Sequence, residues 1–178
     1  MDIKKTANSF ANFTIKRIAE IFGLTVFCAG ALLLLALITY SPEDPNFIFP
    51  ENTKIDNILG FQGSFVSDVF FQSIGLVSYF FSFTLIITGI NIIRSKEFFL
   101  IIENIFFAII YSLLGTLFFA HFYSEAFTLY INGNGGFIGA YLNQSFLNSI
   151  ILINEVIFYY LLIILNIFLF LISINFHP

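Results

Sequence analysis

Apolar residues run without a charge for about twenty positions in four places along the chain, and polar residues collect between these runs. The uncharged runs cover residues 21–40, 69–93, 104–124 and 156–178. A helix that crosses a bilayer needs about 20 mostly apolar residues, each rising 1.5 Å along the axis. The pattern therefore predicts four transmembrane helices, over about residues 21–40, 69–93, 101–122 and 154–176.

Composition excludes the other classes of protein. Hydrophobic residues make up 58% of the 178 positions, 27 are Phe, and charged residues are only 10%. A soluble domain could not cover so much apolar surface, and disordered chains are poor in apolar residues. The net charge of −4 argues against direct nucleic-acid binding. A single cysteine, Cys28, allows no internal disulfide and no cysteine-based metal site, and we expect no cofactor.

The cations predict how the chain is threaded. Six of the seven lie before the first span or between the second and third, at positions 4, 5, 16, 17, 94 and 96. Only Lys54 lies on the other side. Because cytoplasmic loops carry the excess of Lys and Arg, both termini are predicted to be cytoplasmic. The predicted parts are a basic segment over 1–17, a membrane domain over 18–176, and outer loops over 41–68 and 123–153.

Two segments ahead of the second and fourth spans resemble each other. Residues 60–66 read GFQGSFV and residues 136–142 read GFIGAYL. Apolar positions recur at helical spacing in both, so we expect amphipathic helices lying in the outer interface. The predicted fold is an all-α integral membrane protein built of two parallel helix-hairpin repeats. Coincidence in a sequence of low diversity is the alternative explanation of the match.

Small residues form a stripe along the third span. Ala108, Ser112, Thr116 and Ala120 lie four positions apart, which places them on one side of a helix. Such stripes let membrane helices approach closely, so we predict a helix-packing face, within one subunit or between subunits. Asn166, at the middle of the fourth span, is expected to make an interhelical hydrogen bond, with a substrate contact as the alternative.

Other polar groups have ordinary interpretations. His121 and Glu155 could form a proton relay inside the membrane, but both lie near the outer interface, where water reaches them. The acidic first outer loop is either a binding surface for a partner or a soluble connector. We make no choice between those two roles.

Three motifs occur in order along the four spans. The first contains Ser41, Pro42, Asp44 and Pro45; the second contains Gly60, Gly63, Asp68 and Gly75; the third contains Gly136 and Gly139. Together they resemble the N-terminal four-helix membrane domain of the FtsK/SpoIIIE DNA translocases, over about residues 17–176. The resemblance implies a multi-pass protein of the bacterial inner membrane whose amphipathic helices face the periplasm.

The resemblance also implies a function. It points to a non-catalytic membrane anchor and oligomerisation domain that acts at the septum in cell division and chromosome partition. Its expected partners are lipid, further copies of itself and septal proteins. The family's ATP-driven motor is missing, since no GxxxxGK[ST] loop occurs in the sequence. We therefore expect no enzyme activity, and either an excised membrane domain or a stand-alone protein.

A small transporter or channel subunit is the alternative function. Such a protein would need polar groups near the membrane midplane, where the sequence pattern places only Asn166. A membrane-embedded enzyme is disfavoured because the sequence contains no paired carboxylates, histidine cluster or nucleophile arrangement.

Overall fold

A computed structural model of the chain describes residues 3–45, 54–124 and 132–175, with side chains from residue 10 onward. Residues 1–2, parts of both predicted outer loops and the predicted end of the fourth span at 176 lie outside the described residues. The described residues form seven α-helices and no strand, which confirms the all-α class. The helices are α1 (Ile3–Ile38), α2 (Gly60–Ile74), α3 (Val77–Ser95), α4 (Leu100–Phe122), α5 (Gly136–Asn143), α6 (Phe146–Ile151) and α7 (Glu155–Ser173).

Four of these helices are long and apolar enough to cross a membrane, as predicted. They are Phe10–Ile38 within α1, and the whole of α3, α4 and α7. The packing runs in chain order: α1 packs on α3, α3 on α4, and α4 on α7. Helices α2, α5 and α6 and the described parts of the long loops lie where α1 and α4 end, which we call the long-loop end. The opposite end, with the α3–α4 connection at 96–99, is the short-loop end.

The first spanning helix begins earlier than the charge-free run suggests. The sequence predicts a span from residue 21, because Glu20 interrupts the apolar run. In the structure the Glu20 carboxylate lies 2.5 Å from the Arg17 guanidinium and 2.5 Å from the Lys96 ammonium. Paired charges are less costly than isolated ones near an apolar phase. The apolar helix therefore continues through this point.

The second predicted span is interrupted near its start. The sequence predicts one span over 69–93, but α2 ends at Ile74 and α3 begins at Val77. Gly75 separates them with φ 58° and ψ −139°, a conformation that is almost confined to glycine. Its amide still donates to Phe71 O at 2.9 Å, which closes the last turn of α2. The break lets α2 turn away from the axis of α3.

Backbone contacts hold α1 against α3. A Cβ added to Gly89 would lie 2.4 Å from Phe27 N, and one added to Gly30 would lie 2.7 Å from Ile86 N. Glycine at both positions lets the two backbones approach more closely than any side chain would allow. Gly23 makes a similar approach to Gly89 O. The α1–α3 pair is therefore the most intimate helix contact of the bundle.

A buried polar layer joins α3 to α4 and α7, and we call it the polar seam. Thr84 Oγ1 lies 2.9 Å from Tyr111 OH and 3.1 Å from Ser173 Oγ. One turn nearer the short-loop end, Asn104 Nδ2 donates to Thr88 Oγ1 at 2.8 Å. These five side chains are almost fully buried. Hydrogen bonds between membrane helices contribute about 0.6 kcal/mol each, so the seam fixes helix register more than it adds stability.

Candidate functional site: the long-loop clasp

The residues of the three predicted motifs lie at the long-loop end, where their contacts join the loops to the spanning helices. We call this set of contacts the long-loop clasp. Its first half surrounds Asp44, whose side chain is only 2% exposed. Asp44 Oδ1 accepts from Asp56 N at 2.8 Å, and Oδ2 accepts from Asn57 N at 2.9 Å. The carboxylate therefore ties the end of the first long loop to its beginning.

Asn57 continues the connection into α1. Its Nδ2 donates to Ala36 O at 2.9 Å and to Thr39 O at 3.2 Å, and its Oδ1 accepts from Leu59 N at 3.1 Å. The last carbonyls of a helix have no partner within the helix. One buried amide thus satisfies the end of α1 and the start of α2 together.

Glycines make room for this arrangement. A Cβ on Gly63 would fall 2.1 Å from Asn57 Oδ1, so only glycine fits there. Gly60 begins α2 with φ 66°, in the left-handed region that favours glycine. Ser64 Oγ, one residue beyond Gly63, donates to Pro45 O at 3.1 Å.

The remaining motif residues of the first half lie at its edge. Asp68 Oδ1 accepts from Tyr40 OH at 3.1 Å, which links α2 to the end of α1. Ser41 O accepts from Asp44 N at 3.2 Å and so closes the turn after α1. Pro42, within that turn, is exposed.

The second half of the clasp joins the two predicted repeats to each other. Leu76 N donates to Asn134 O at 2.9 Å, and a Cβ on Gly75 would lie 1.9 Å from that oxygen. Gly136, with φ 63°, also packs on backbone, since a Cβ added to it would lie 2.6 Å from Ser73 C. Asn134 Nδ2 donates to Tyr123 O, the residue after α4. Substitution of either glycine would therefore separate the loops.

The predicted packing face of α4 is mostly buried within the chain. Ala108, Ser112 and Thr116 are buried, and Ala120 is half-buried. Helix α5 covers the long-loop end of the stripe, where a Cβ on Gly139 would lie 2.4 Å from Thr116 O. This part of the stripe therefore packs inside one subunit.

Asn166 makes a different hydrogen bond from the one expected. The sequence predicts an interhelical bond, whereas Asn166 Nδ2 donates to Leu162 O of its own helix at 2.8 Å. A carbonyl one turn back is always within reach in a helix, so the amide needs no second helix. The side chain also lines an apolar cavity of about 180 Å³ between α4 and α7, with Gly115, Phe118 and Phe170.

The suggested relay residues have other neighbours. His121 Nδ1 lies 3.1 Å from Asn143 Oδ1, which ties the end of α4 to the end of α5. Glu155 is the first residue of α7, where a carboxylate suits the helix dipole. Within the part of the chain that the structure describes, no three His, Cys, Asp or Glu side chains come together as metal ligands. The chemistry of the clasp is therefore that of capping and close packing.

Sequence reasoning missed two groups of residues that build this site. Asn57 lies three residues, and Asn134 two residues, before a glycine that begins a helix, and an Asn shortly before such a glycine was the available signal. The polar seam was missed because Thr and Ser do not interrupt an uncharged run. Only burial in the folded chain separates such residues from those that face lipid.

Comparison with known proteins agrees with the motifs. Residues 15–177 match the 4TM region of DNA translocase FtsK/SpoIIIE. A DNA translocase FtsK of Caulobacter vibrioides is 35% identical over 79 residues, which are 44% of this chain and 10% of that protein. One of Rhizobium meliloti is 31% identical over 78 residues, 44% of this chain and 9% of that protein. The alignments thus span about a tenth of the length of these relatives. No solved structure matches the chain.

Proposed function

Because this chain belongs to the family of the 4TM region of DNA translocase FtsK/SpoIIIE, we propose that it anchors an FtsK-type translocase in the bacterial inner membrane. The observation that carries the proposal is the match over residues 15–177, together with four helices able to span a bilayer. The anchor acts at the division septum, in cell division and chromosome partition. It performs no catalysis of its own, since Asp44 and Asn57, the buried polar side chains at the centre of the clasp, are engaged in hydrogen bonds within the chain.

The proposed threading puts both termini in the cytoplasm. Lys16, Arg17, Arg94 and Lys96 lie at the short-loop end of the bundle, and Lys54 lies at the long-loop end. An excess of Lys and Arg marks the cytoplasmic side of membrane proteins. The long-loop clasp then faces the periplasm.

We propose that α1–α3 and α4–α7 are two copies of one repeat. Gly60 and Gly136 support this, since both begin a helix with φ near 65°. Asn57 and Asn134 support it too, because each returns a hydrogen bond to the end of the preceding span. The interfacial placement of α2 is supported by exposed apolar side chains, such as Phe61 and Val69, opposite a buried small-residue side.

Assembly is proposed to use α7. Only 11% of its spanning residues are buried within the chain, against 33–39% in the other three spans. Its exposed side carries Val156, Tyr160, Ile164, Ile167 and Phe168. A homo-oligomer would cover this side, while lipid and septal proteins contact the rest of the surface.

The anchor proposal is tested by localisation. A fluorescent fusion of the chain, expressed in dividing bacteria, should concentrate at the septum. The control is a Gly75→Val fusion, in which the added side chain opens the clasp and should weaken septal enrichment while membrane insertion remains. A wild-type fusion spread evenly round the cell would contradict the septal role.

The threading is tested by cysteine labelling. In a Cys28→Ala background, Lys54→Cys should react with a membrane-impermeant maleimide in intact cells. Ser95→Cys, at the short-loop end, should react only after the membrane is opened. The reverse pattern would invert the proposed topology.

A further inference from the structure

An open polar cavity of about 640 Å³ lies at the short-loop end, away from the clasp. It is bounded by the end of α3, the α3–α4 connection, the start of α4 and the end of α7. Its lining is Asn91, Arg94, Ser95, Glu97, Leu100, Glu103, Ile172 and Asn175. We propose that this cavity binds the zwitterionic headgroup of a phospholipid with a primary amine, phosphatidylethanolamine. The proposal is independent of septal localisation and oligomerisation and requires only that the four helices span a bilayer.

The charges of the cavity include both signs and are not paired with each other. Among the described residues, Arg94 has no carboxylate within ion-pair distance. Glu97 and Glu103 likewise have no cation within that distance. The neighbouring Lys96 is already engaged with Glu20 of α1. A ligand that carries a cation and an anion on one short frame would satisfy both sets of charges.

The sign of the cavity favours an amine in that ligand. One guanidinium and two carboxylates give the lining a formal charge of −1. A phosphate can accept two hydrogen bonds from the guanidinium of Arg94, in the bidentate geometry that Arg favours. An ammonium placed near Glu97 and Glu103 can donate three hydrogen bonds. A quaternary ammonium could not donate these bonds, and an anionic headgroup would meet two carboxylates.

The position of the cavity favours a lipid over a soluble ligand. Arg94 is in the last turn of α3, Glu103 in the first turn of α4, and Asn175 just after α7. The ends of spanning helices lie at the depth of the headgroups. Leu100 and Ile172 add apolar wall beside the charges, where glycerol and the first acyl carbons would lie.

A hydrogen bond between α3 and α7 fixes one wall of the cavity. Asn91 Nδ2 donates to Ile174 O at 2.9 Å, at the point where α7 ends. The donated bond leaves the Asn91 carbonyl oxygen as a further acceptor on the cavity wall. The bond also sets the separation of the two helix ends that line the cavity.

Native mass spectrometry of the purified full chain tests the proposal. The chain is titrated with phosphatidylethanolamine, phosphatidylcholine and phosphatidylglycerol of matched acyl chains. We expect phosphatidylethanolamine to bind about tenfold more tightly than the choline lipid, since a hydrogen bond to a charged group contributes about 1.5 kcal/mol. Equal binding of the three lipids by the wild-type chain, or tighter binding of phosphatidylglycerol, would by itself overturn the proposal.

Variants separate the two halves of the headgroup. The double substitution Glu97→Gln and Glu103→Gln should abolish the preference for ethanolamine over choline. Arg94→Gln should weaken the binding of both lipids to the same extent, because both carry the phosphate. The matched control is the double substitution Lys54→Gln and Glu43→Gln, which changes exposed charges at the long-loop end. It should leave the relative affinities for the three lipids unchanged.

A soluble competitor distinguishes the lipid from its headgroup alone. Millimolar O-phosphoethanolamine should fail to displace the lipid, because it lacks the acyl chains and gains nothing from the bilayer. Displacement at that concentration would make the cavity a site for a soluble amine phosphate and overturn the assignment to lipid. Circular dichroism at increasing temperature checks that each variant remains folded.

Discussion

The two hairpins of spanning helices are packed in opposite ways. In the α1–α3 pair, glycines bring backbone against backbone, and Gly89 lies directly on Phe27 N. In the α4–α7 pair, aromatic side chains such as Phe118, Tyr111 and Phe170 separate the helices, and a cavity remains between them. The first pair therefore has one possible distance and register. The second can adjust by changes of rotamer, and it leaves α7 open to what surrounds the protein.

This difference shows how two helix pairs of one bundle can serve separate purposes. Backbone contact makes a rigid frame that tolerates no added atoms at the crossing. Side-chain contact makes a pair that can accept a neighbour without loss of its own packing. The clasp connects the two helix pairs, through the close contact of Gly75 with Asn134 and the hydrogen bond that Asn134 O accepts from Leu76 N.

The largest predicted effect comes from adding a side chain at the backbone crossing. Gly89→Val should destabilise the fold by about 3 kcal/mol, since overpacking of this kind costs about 1–3 kcal/mol and a backbone cannot repack. Thermal unfolding of the chain in detergent, followed by circular dichroism, measures the loss.

The matched control for that change lies in the other hairpin. An added Cβ on Gly115 would meet only the ends of the Val77 and Asn166 side chains. Gly115→Ala should therefore cost about 1 kcal/mol or less, because side chains can shift and alanine favours a helix over glycine. Gly89→Ala is compared with it, since its Cβ alone would lie 2.4 Å from Phe27 N and should cost clearly more. Equal losses in the two variants would contradict the contrast between backbone and side-chain packing.

A smaller difference in the loss of stability is expected when the two asparagines of the clasp are each replaced by alanine. Asn57→Ala removes bonds to the carbonyls of Ala36 and Thr39, and should cost about 2 kcal/mol because buried groups are left without partners. Asn134→Ala removes the bond to Tyr123 O, and its own Oδ1 has no partner in the described structure. Its loss should be nearer 1 kcal/mol. The same unfolding measurement compares the two variants. A larger loss of stability in Asn134→Ala than in Asn57→Ala would contradict this order.

The smallest effect is predicted at Asn166. Its amide bonds to its own helix and lines an apolar cavity, so Asn166→Leu should change stability by less than about 1 kcal/mol, the scale of hydrogen bonds within membranes. Retention of the wild-type melting temperature is the expected result. A loss as large as that of Gly89→Val would show that the amide has a second partner.

The sequence predicted the four candidate spans, because uncharged length is what a bilayer requires. It did not reveal the break at Gly75, since a glycine inside an apolar run has the same hydropathy whether or not the helix continues. It did not reveal that the helix of the first span continues through residues 17–20 either. Arg17 and Glu20 count as charges along the chain, and only the fold shows that they pair with each other and Lys96.

The motif residues of the site were found by resemblance, whereas their roles came only from contacts. Asp44 has no feature in the sequence that distinguishes it from the exposed Glu43 beside it, yet its carboxylate is buried on two backbone amides. Thr84 and Tyr111 likewise differ from lipid-facing residues only in what lies opposite. Pairings of this kind, between residues far apart in the chain, do not follow from local pattern.

The length of α1 has a consequence for the outline of the bundle. Glu20 lies level with Lys96, just past the end of α3, so residues 3–18 continue beyond the bundle for about 24 Å at 1.5 Å per residue. From Phe10 to Ile18 every side chain is exposed, and four of these are large and apolar. The bundle therefore ends unevenly at its short-loop end, where α1 projects past the other spans with its apolar and basic side chains uncovered by the rest of the described chain.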